Sequence, residues 1–89
     1  MRHAVMSVHD VKAKAFARPF YVPTVEIGTR AFAVSCRDPG TELNSYPEDM
    51  FLYHLGWWDD DTGETENVVP PVQVCKAVDF VQHAKKEKE

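Results

Sequence analysis

The sequence predicts an α+β fold, a small antiparallel sheet of three to four strands with one principal helix packed on it. Three features of the chain carry that expectation. Residues 3–9 and 50–58 are apolar runs with the two-residue period of strands, residues 24–37 have helical spacing behind a threonine, and Asp59-Asp60-Asp61-Thr62-Gly63 supplies a tight turn after the second run. At 89 residues the chain suits one domain, expected over residues 1–84 with a charged tail at 85–89. A chain of this size buries only roughly 60–65% of its unfolded surface. With 44% hydrophobic and 27% charged residues, it is too apolar for a disordered protein.

The first strand is His3-Ala4-Val5-Met6-Ser7-Val8-His9, with Ala4, Met6 and Val8 on one face and Val5, Ser7 and His9 on the other. Residues 10–23 contain Pro19 and Pro23, which block a helix and bias their predecessors to extended geometry, so an ordered extended loop is expected. Thr24 is placed to cap a helix that runs through Arg37 and stops at Asp38-Pro39-Gly40. Val25, Phe32 and Cys36 share one stripe of it, and Ile27, Ala31 and Val34 an adjacent one, which together form an arc broad enough to cover a sheet. Gly28 weakens this helix by roughly 1 kcal/mol relative to Ala, which implies a close packing partner.

Residues 41–48 read as a polar turn, and Met50 to Trp58 as the central strand, covered on both faces. Gly63 suits positive φ in the turn that follows, and Glu64 to Val69 can return as an antiparallel strand until Pro70-Pro71 interrupts the chain. Val72 to Val81 combines alternation with helical spacing, which leaves a short strand and a short helix both open. Three strands and one helix make a thin core. A homo-oligomer, a dimer formed through a sheet edge or the aromatic strand, is therefore expected.

The net charge of −4 conceals an imbalance. Residues 1–37 carry six Lys or Arg against two acids, a net +4, while residues 38–89 carry four Lys against twelve acids, a net −8. Such a chain can present a basic face to a polyanion despite its acidic total, but it is no generic basic coat for nucleic acid. No run reaches the roughly 18 apolar residues of a membrane span, and residues 1–7 lack a signal-peptide core, so the expectation is a chain that stays, without a membrane partner, where it is made. Cys36 and Cys75 are too few for a disulfide framework and read as free thiols.

The chemical signals are weighed against their structural alternatives. Three aspartates before Gly63 invite a calcium loop, but that register puts Trp58 and Val69 at the first and last ligand positions, so an acidic hairpin turn is expected and no metal site. Histidines 3, 9 and 54 form no short pair with a cysteine, and Gly28, Gly40, Gly56 and Gly63 are too scattered for a phosphate loop. No catalytic residue and no cofactor are assigned; a small enzyme would need Cys36 or His54 to converge in a pocket. The segment Lys12-Ala13-Lys14-Ala15-Phe16-Ala17-Arg18-Pro19-Phe20-Tyr21 interleaves cations and rings with small residues, the requirement for single-stranded nucleic acid. The same rings can instead anchor a long loop to the core.

Ser7-Val8-His9-Asp10-Val11-Lys12-Ala13, Pro19-Phe20, Arg30-Ala31-Phe32, Tyr46-Pro47-Glu48-Asp49 and Leu52-Tyr53-His54-Leu55-Gly56, followed by Asp59-Asp60-Asp61-Thr62-Gly63, together resemble a known family. This is the small nonstructural protein of gokushovirus-type microviruses, the product of the fifth reading frame of these single-stranded DNA phages. The resemblance covers residues 3–69; Tyr46 stands where a histidine is expected and Met50 where an aromatic is usual. It implies a protein of the infected bacterium's cytoplasm, absent from the virion, that acts in single-stranded DNA synthesis and genome packaging and brings no catalytic residues. The expected partners are single-stranded or replicative-form phage DNA, with the replication complex or procapsid. Lys12, Lys14, Arg18 and Arg30 are expected to neutralise phosphates, with Phe20 and Tyr21 as stacking rings. The alternative is a protein–protein adaptor that engages host or procapsid proteins through the acidic hairpin 59–66, without DNA contact.

Overall fold

A computed structural model describes residues 1–81; the boundary at residue 84 and the tail 85–89 lie outside the described residues. Strands β1 (Arg2–Asp10), β2 (Ala15–Phe16), β3 (Phe20–Val22), β4 (Met50–Asp59) and β5 (Thr65–Lys76) form one antiparallel sheet. β1 and β4 lie side by side at its centre; β5 pairs with the far side of β4, and β2 and β3 share the far side of β1. Helix α1 (Val25–Arg37) packs on one face, followed by the single turn α2 (Glu42–Ser45) and two short 3₁₀ turns at Pro47–Asp49 and Ala77–Asp79. The α+β class and the principal helix stand as expected, but the sheet has five strands rather than three or four.

The additional strands come from the segment read as a loop. Asp10 accepts from the backbone N–H groups of Lys12 and Ala13, and Lys14 takes positive φ, 57°, which turns the chain back along β1. Pro19 and Pro23 flank β3, where they spoil none of its bonds to Ala4–Met6. Pro70-Pro71 likewise does not end the return strand. β5 passes through both prolines in an irregular stretch where His54 faces Val72 and Gly56 already faces Asn67, leaving residues 68–71 opposite Leu55 alone. Prolines are tolerated there because an edge-strand bulge makes no ladder bonds for them to lose. Residues 72–81 resolve the open alternative in favour of both: strand to Lys76, then a helical turn.

Thr24 Oγ1 accepts from Ile27 N at 3.1 Å, the expected cap of α1. Gly28, Phe32 and Cys36 form its buried ridge, but the second apolar stripe is not used: Ile27 is 45% and Val34 60% exposed. The covered part of the sheet is narrow, so one ridge fills it. The partner that Gly28 implied is Met6, whose Sδ would lie 2.2 Å from an added Cβ. Ala4 and Met6 of β1, Met50 and Leu52 of β4, Phe32 and Cys36 of α1, and Ala77 and Val81 from the last segment make the core. Asn44 closes one end by donating to the Cys36 carbonyl at 2.9 Å.

One irregularity decides which face each tryptophan takes. Met6 pairs with His54 but Val5 with Gly56, so Leu55 is an extra residue and the pleat of β4 changes parity after it. Trp57 is thereby brought to the core side beside Ala4, and Trp58 to the opposite face beside His3.

Candidate nucleic-acid interface

The face of the sheet opposite α1 is built of side chains brought together by register. Residues directly opposite one another in a ladder share a face, which gives four rows across the sheet. The first is Phe16, His9, Phe51 and Lys76; the second Ser7, Tyr53 and Gln73; the third Tyr21, Val5, Gly56 and Asn67; the fourth His3, Trp58 and Thr65. Among the described residues, α1, α2 and the segment after β5 pack on the other face.

The rings gather at the two ends of this open face. At one end Phe16 lies with its ring centre 4.5 Å from His9 and 5.3 Å from Tyr53, whose hydroxyl donates to Gln73 Oε1 at 3.4 Å. At the other end Trp58 packs edge-on against Tyr21 at 5.6 Å and tilted against His3 at 5.4 Å. Phe16 and Tyr21 are 45% and 54% exposed, a large apolar exposure for side chains already touching other rings. Between the two groups lie the small or covered residues Val5 and Ser7. Ser7 Oγ donates to the Ala17 carbonyl at 2.6 Å, which fastens the residue before Arg18 at that gap.

The cations are unevenly placed. Lys12 and Lys14 lie on the turn joining β1 to β2, beside the Phe16 row, and Lys76 belongs to that row itself. Lys14 occupies a left-handed conformation that glycine or asparagine adopts with less strain. Of the residues expected from sequence, Tyr21 comes to the open face, Lys14 and Arg18 are exposed on the segment along its edge, and Lys12 lines a recess with Asp10, Glu42 and Asp49 on the side of α2. Phe20 pairs with Met6 and packs against the core, and Arg30 is exposed on α1 in the opposite layer. Phe16, Tyr53, Trp58 and Lys76 were not singled out as contacts; the alternation around Tyr53 could have found that ring, but only the register finds Lys76 and Trp58.

The other chemical candidates are occupied within the molecule. The Asp59, Asp60 and Asp61 carboxylates gather round the Met1 ammonium, at 3.5, 2.8 and 2.8 Å, and His3 Nε2 lies 2.8 Å from Asp60. Hydrogen bonds to Asp60 and Asp61 raise the ammonium's pKa to about 11. Asp59 is held below the usual carboxylate range chiefly by the backbone N–H of Asp61, and Asp60 by the ammonium and then His3. Arg2 stacks 4.1 Å over Trp57 in a recess lined also by Asp59, Glu64 and Glu66. Met1 and Arg2 thus offset two of the hairpin's five negative charges.

Cys36 is fully buried, and burial pushes its thiol up to about 11; Cys75, half-buried, is raised to about 11 by the same cause. His54 is buried with Nε2 2.9 Å from the Gly56 carbonyl. Both cysteines are therefore thiols rather than thiolate nucleophiles at neutral pH.

No helix among the described residues is long and apolar enough to cross a membrane. Comparison with curated proteins and with solved structures returns no match. A family model described as phage ORF5 protein matches residues 3–80. In keeping with the resemblance read from the sequence, the chain belongs to the phage ORF5 protein family.

Proposed function

We propose that this phage protein is a non-enzymatic accessory that binds single-stranded DNA on the open face of its sheet. It acts in viral single-stranded DNA synthesis and genome packaging in the cytoplasm of the host bacterium. The observation that carries this reading is the sorting of Phe16, Tyr21, Tyr53 and Trp58 onto the face opposite α1, with Lys76 in one of its rows and Lys14 and Arg18 exposed on the segment along its edge. Rings on a flat face stack on unpaired bases whatever their sequence, and neighbouring cations take the phosphates. A duplex hides its base faces, so the single strand is the form this surface suits. Membership of a phage family makes phage DNA the strand to test first. The adaptor reading rests instead on hairpin 59–66, whose five acids are offset only in part by the Met1 ammonium and Arg2 and which carries none of the stacked rings.

The test is a titration of labelled oligothymidylate over a range of salt. Three cations, Lys14, Arg18 and Lys76, each releasing about 0.7 of a counterion from a single strand, predict a log–log slope of about −2. The Lys14→Ala/Arg18→Ala variant keeps one of the three, and its slope should fall to about −1. Absence of binding to any single strand at low salt refutes the proposal.

A further inference from the structure

We propose that the bound strand runs along β1, from the Lys76 row to the Trp58 row, and occupies two ring stations separated by a phosphate contact at Arg18. This footprint rests on the single-strand reading above and deepens it by fixing the direction and length of the ligand. The first station is Phe16, His9 and Tyr53; the second is Tyr21, Trp58 and His3. From His9 to His3 is six residues of β1, which at about 3.3 Å per strand residue is roughly 20 Å. A stacked nucleic-acid strand advances about 3.4 Å per nucleotide, so the stations lie about six nucleotides apart, or fewer in a stretched strand. A path across the strands instead would engage the rings of one end only and leave those of the other end without a base.

Two features fit the lengthwise path. The gap between stations carries Ser7 and Val5 rather than rings, so a base there has nothing to stack on while its phosphate passes Arg18, whose neighbour Ala17 is fastened by Ser7. Beyond Trp58 stand Asp59, Asp60 and Asp61, three carboxylates against one ammonium. That net negative charge repels further phosphates and sets the end of the track. The lysines lie at the opposite end, so the strand enters on cations and finishes on rings.

The experiment uses the full chain and oligothymidylates from dimer to dodecamer, with anisotropy for affinity and tryptophan fluorescence for occupancy of the second station. Trp57, on the core side, supplies a constant background, and Trp58 is the reporter. Affinity should climb steeply up to about six nucleotides and then flatten, and tryptophan quenching should begin only near that length. Tyr21→Ser, at an exposed position, should weaken a nonamer about 5- to 150-fold and leave a trimer unchanged, the range for loss of one stacked base. Trp58→Phe should abolish the length-dependent quenching while keeping most of the affinity. A trimer that binds as tightly as a nonamer, or a Tyr21→Ser effect equal on both, overturns the footprint and leaves single-strand binding intact. Absence of binding by every length overturns both.

Discussion

Gly56→Ala is the substitution that most sharply tests the register on which the open face depends. A Cβ at residue 56 would lie 2.5 Å from the carbonyl oxygen of Glu66 and 3.3 Å from Asn67 Cα, both backbone atoms of β5. An ordinary carbon–oxygen contact is about 3.3 Å, so β5 must retreat by nearly 1 Å where Gly56 meets Asn67. No side chain can turn away to relieve this. Overpacking of this kind costs about 1–3 kcal/mol, and a ladder hydrogen bond stretched by the retreat adds about 0.5–1.5 kcal/mol. The expected loss is about 2–4 kcal/mol, a large share of the roughly 5–15 kcal/mol that holds a small domain. Urea unfolding followed by circular dichroism should show a lowered midpoint with unchanged slope, and melting about 10–25 °C lower. A Gly56→Ala protein within about 0.5 kcal/mol of the parent would mean that β5 does not cross β4 there, and the rows of the open face would fall with it.

Other outcomes follow from the same packing. Gly28→Ala should be much milder than Gly56→Ala, because the atom met is the flexible thioether of Met6 and the helix gains about 1 kcal/mol from alanine; the net loss should stay below about 2 kcal/mol in the same unfolding assay. The adjacent tryptophans should separate cleanly: Trp57→Ala lowers stability by about 2 kcal/mol or more with little effect on DNA affinity, and Trp58→Ala does the reverse. The buried Cys36 thiol, raised to about 11, binds its proton more tightly folded than unfolded, so stability should fall as pH rises from about 9 towards 11, and a thiol reagent should reach Cys36 only when urea is added. At the Met1 clasp the raised ammonium contributes fully below pH 8.0 and is lost through about 11, whereas the lowered Asp60 contributes above pH 3.8 and is lost on acidification. Asp60→Asn should therefore lower the melting temperature slightly near neutral pH at low salt and not at high salt.

What could be read from the sequence was local chemistry. Thr24 caps a helix that ends at Arg37 because its hydroxyl reaches an N–H three residues on, and the hairpin 59–63 closes with Gly63 at φ 79° because that turn needs it. The partner of Gly28 was implied by its place inside a helix. What could not be read depended on register between distant strands. One extra residue at Leu55 exchanges the faces of Trp57 and Trp58, and an irregular β5 carries Lys76 to a row with Phe51. Neither leaves a periodic trace in the chain. The site divides in the same way: the interleaved cations and rings of residues 12–21 form the turn, β2 and β3 along one edge of the sheet. Pairing with Met6 then turns Phe20 inward, and the helix carries Arg30 to the opposite layer. The division of charge between the two parts of the chain also takes a spatial form, with lysines at one end of the open face and the aspartates, offset in part by Met1 and Arg2, at the other.

The central claim is that the open face is the single-strand binding surface, and amide and aromatic NMR shifts of the isotope-labelled chain titrated with an oligothymidylate nonamer test it most directly. Perturbations should concentrate at Phe16, Tyr21, Tyr53 and Trp58 and at the amides of Lys14, Arg18 and Lys76, with Arg30 and Val34 on the outer side of α1 unmoved. Shifts centred on α1, or none at all at low salt, would contradict it.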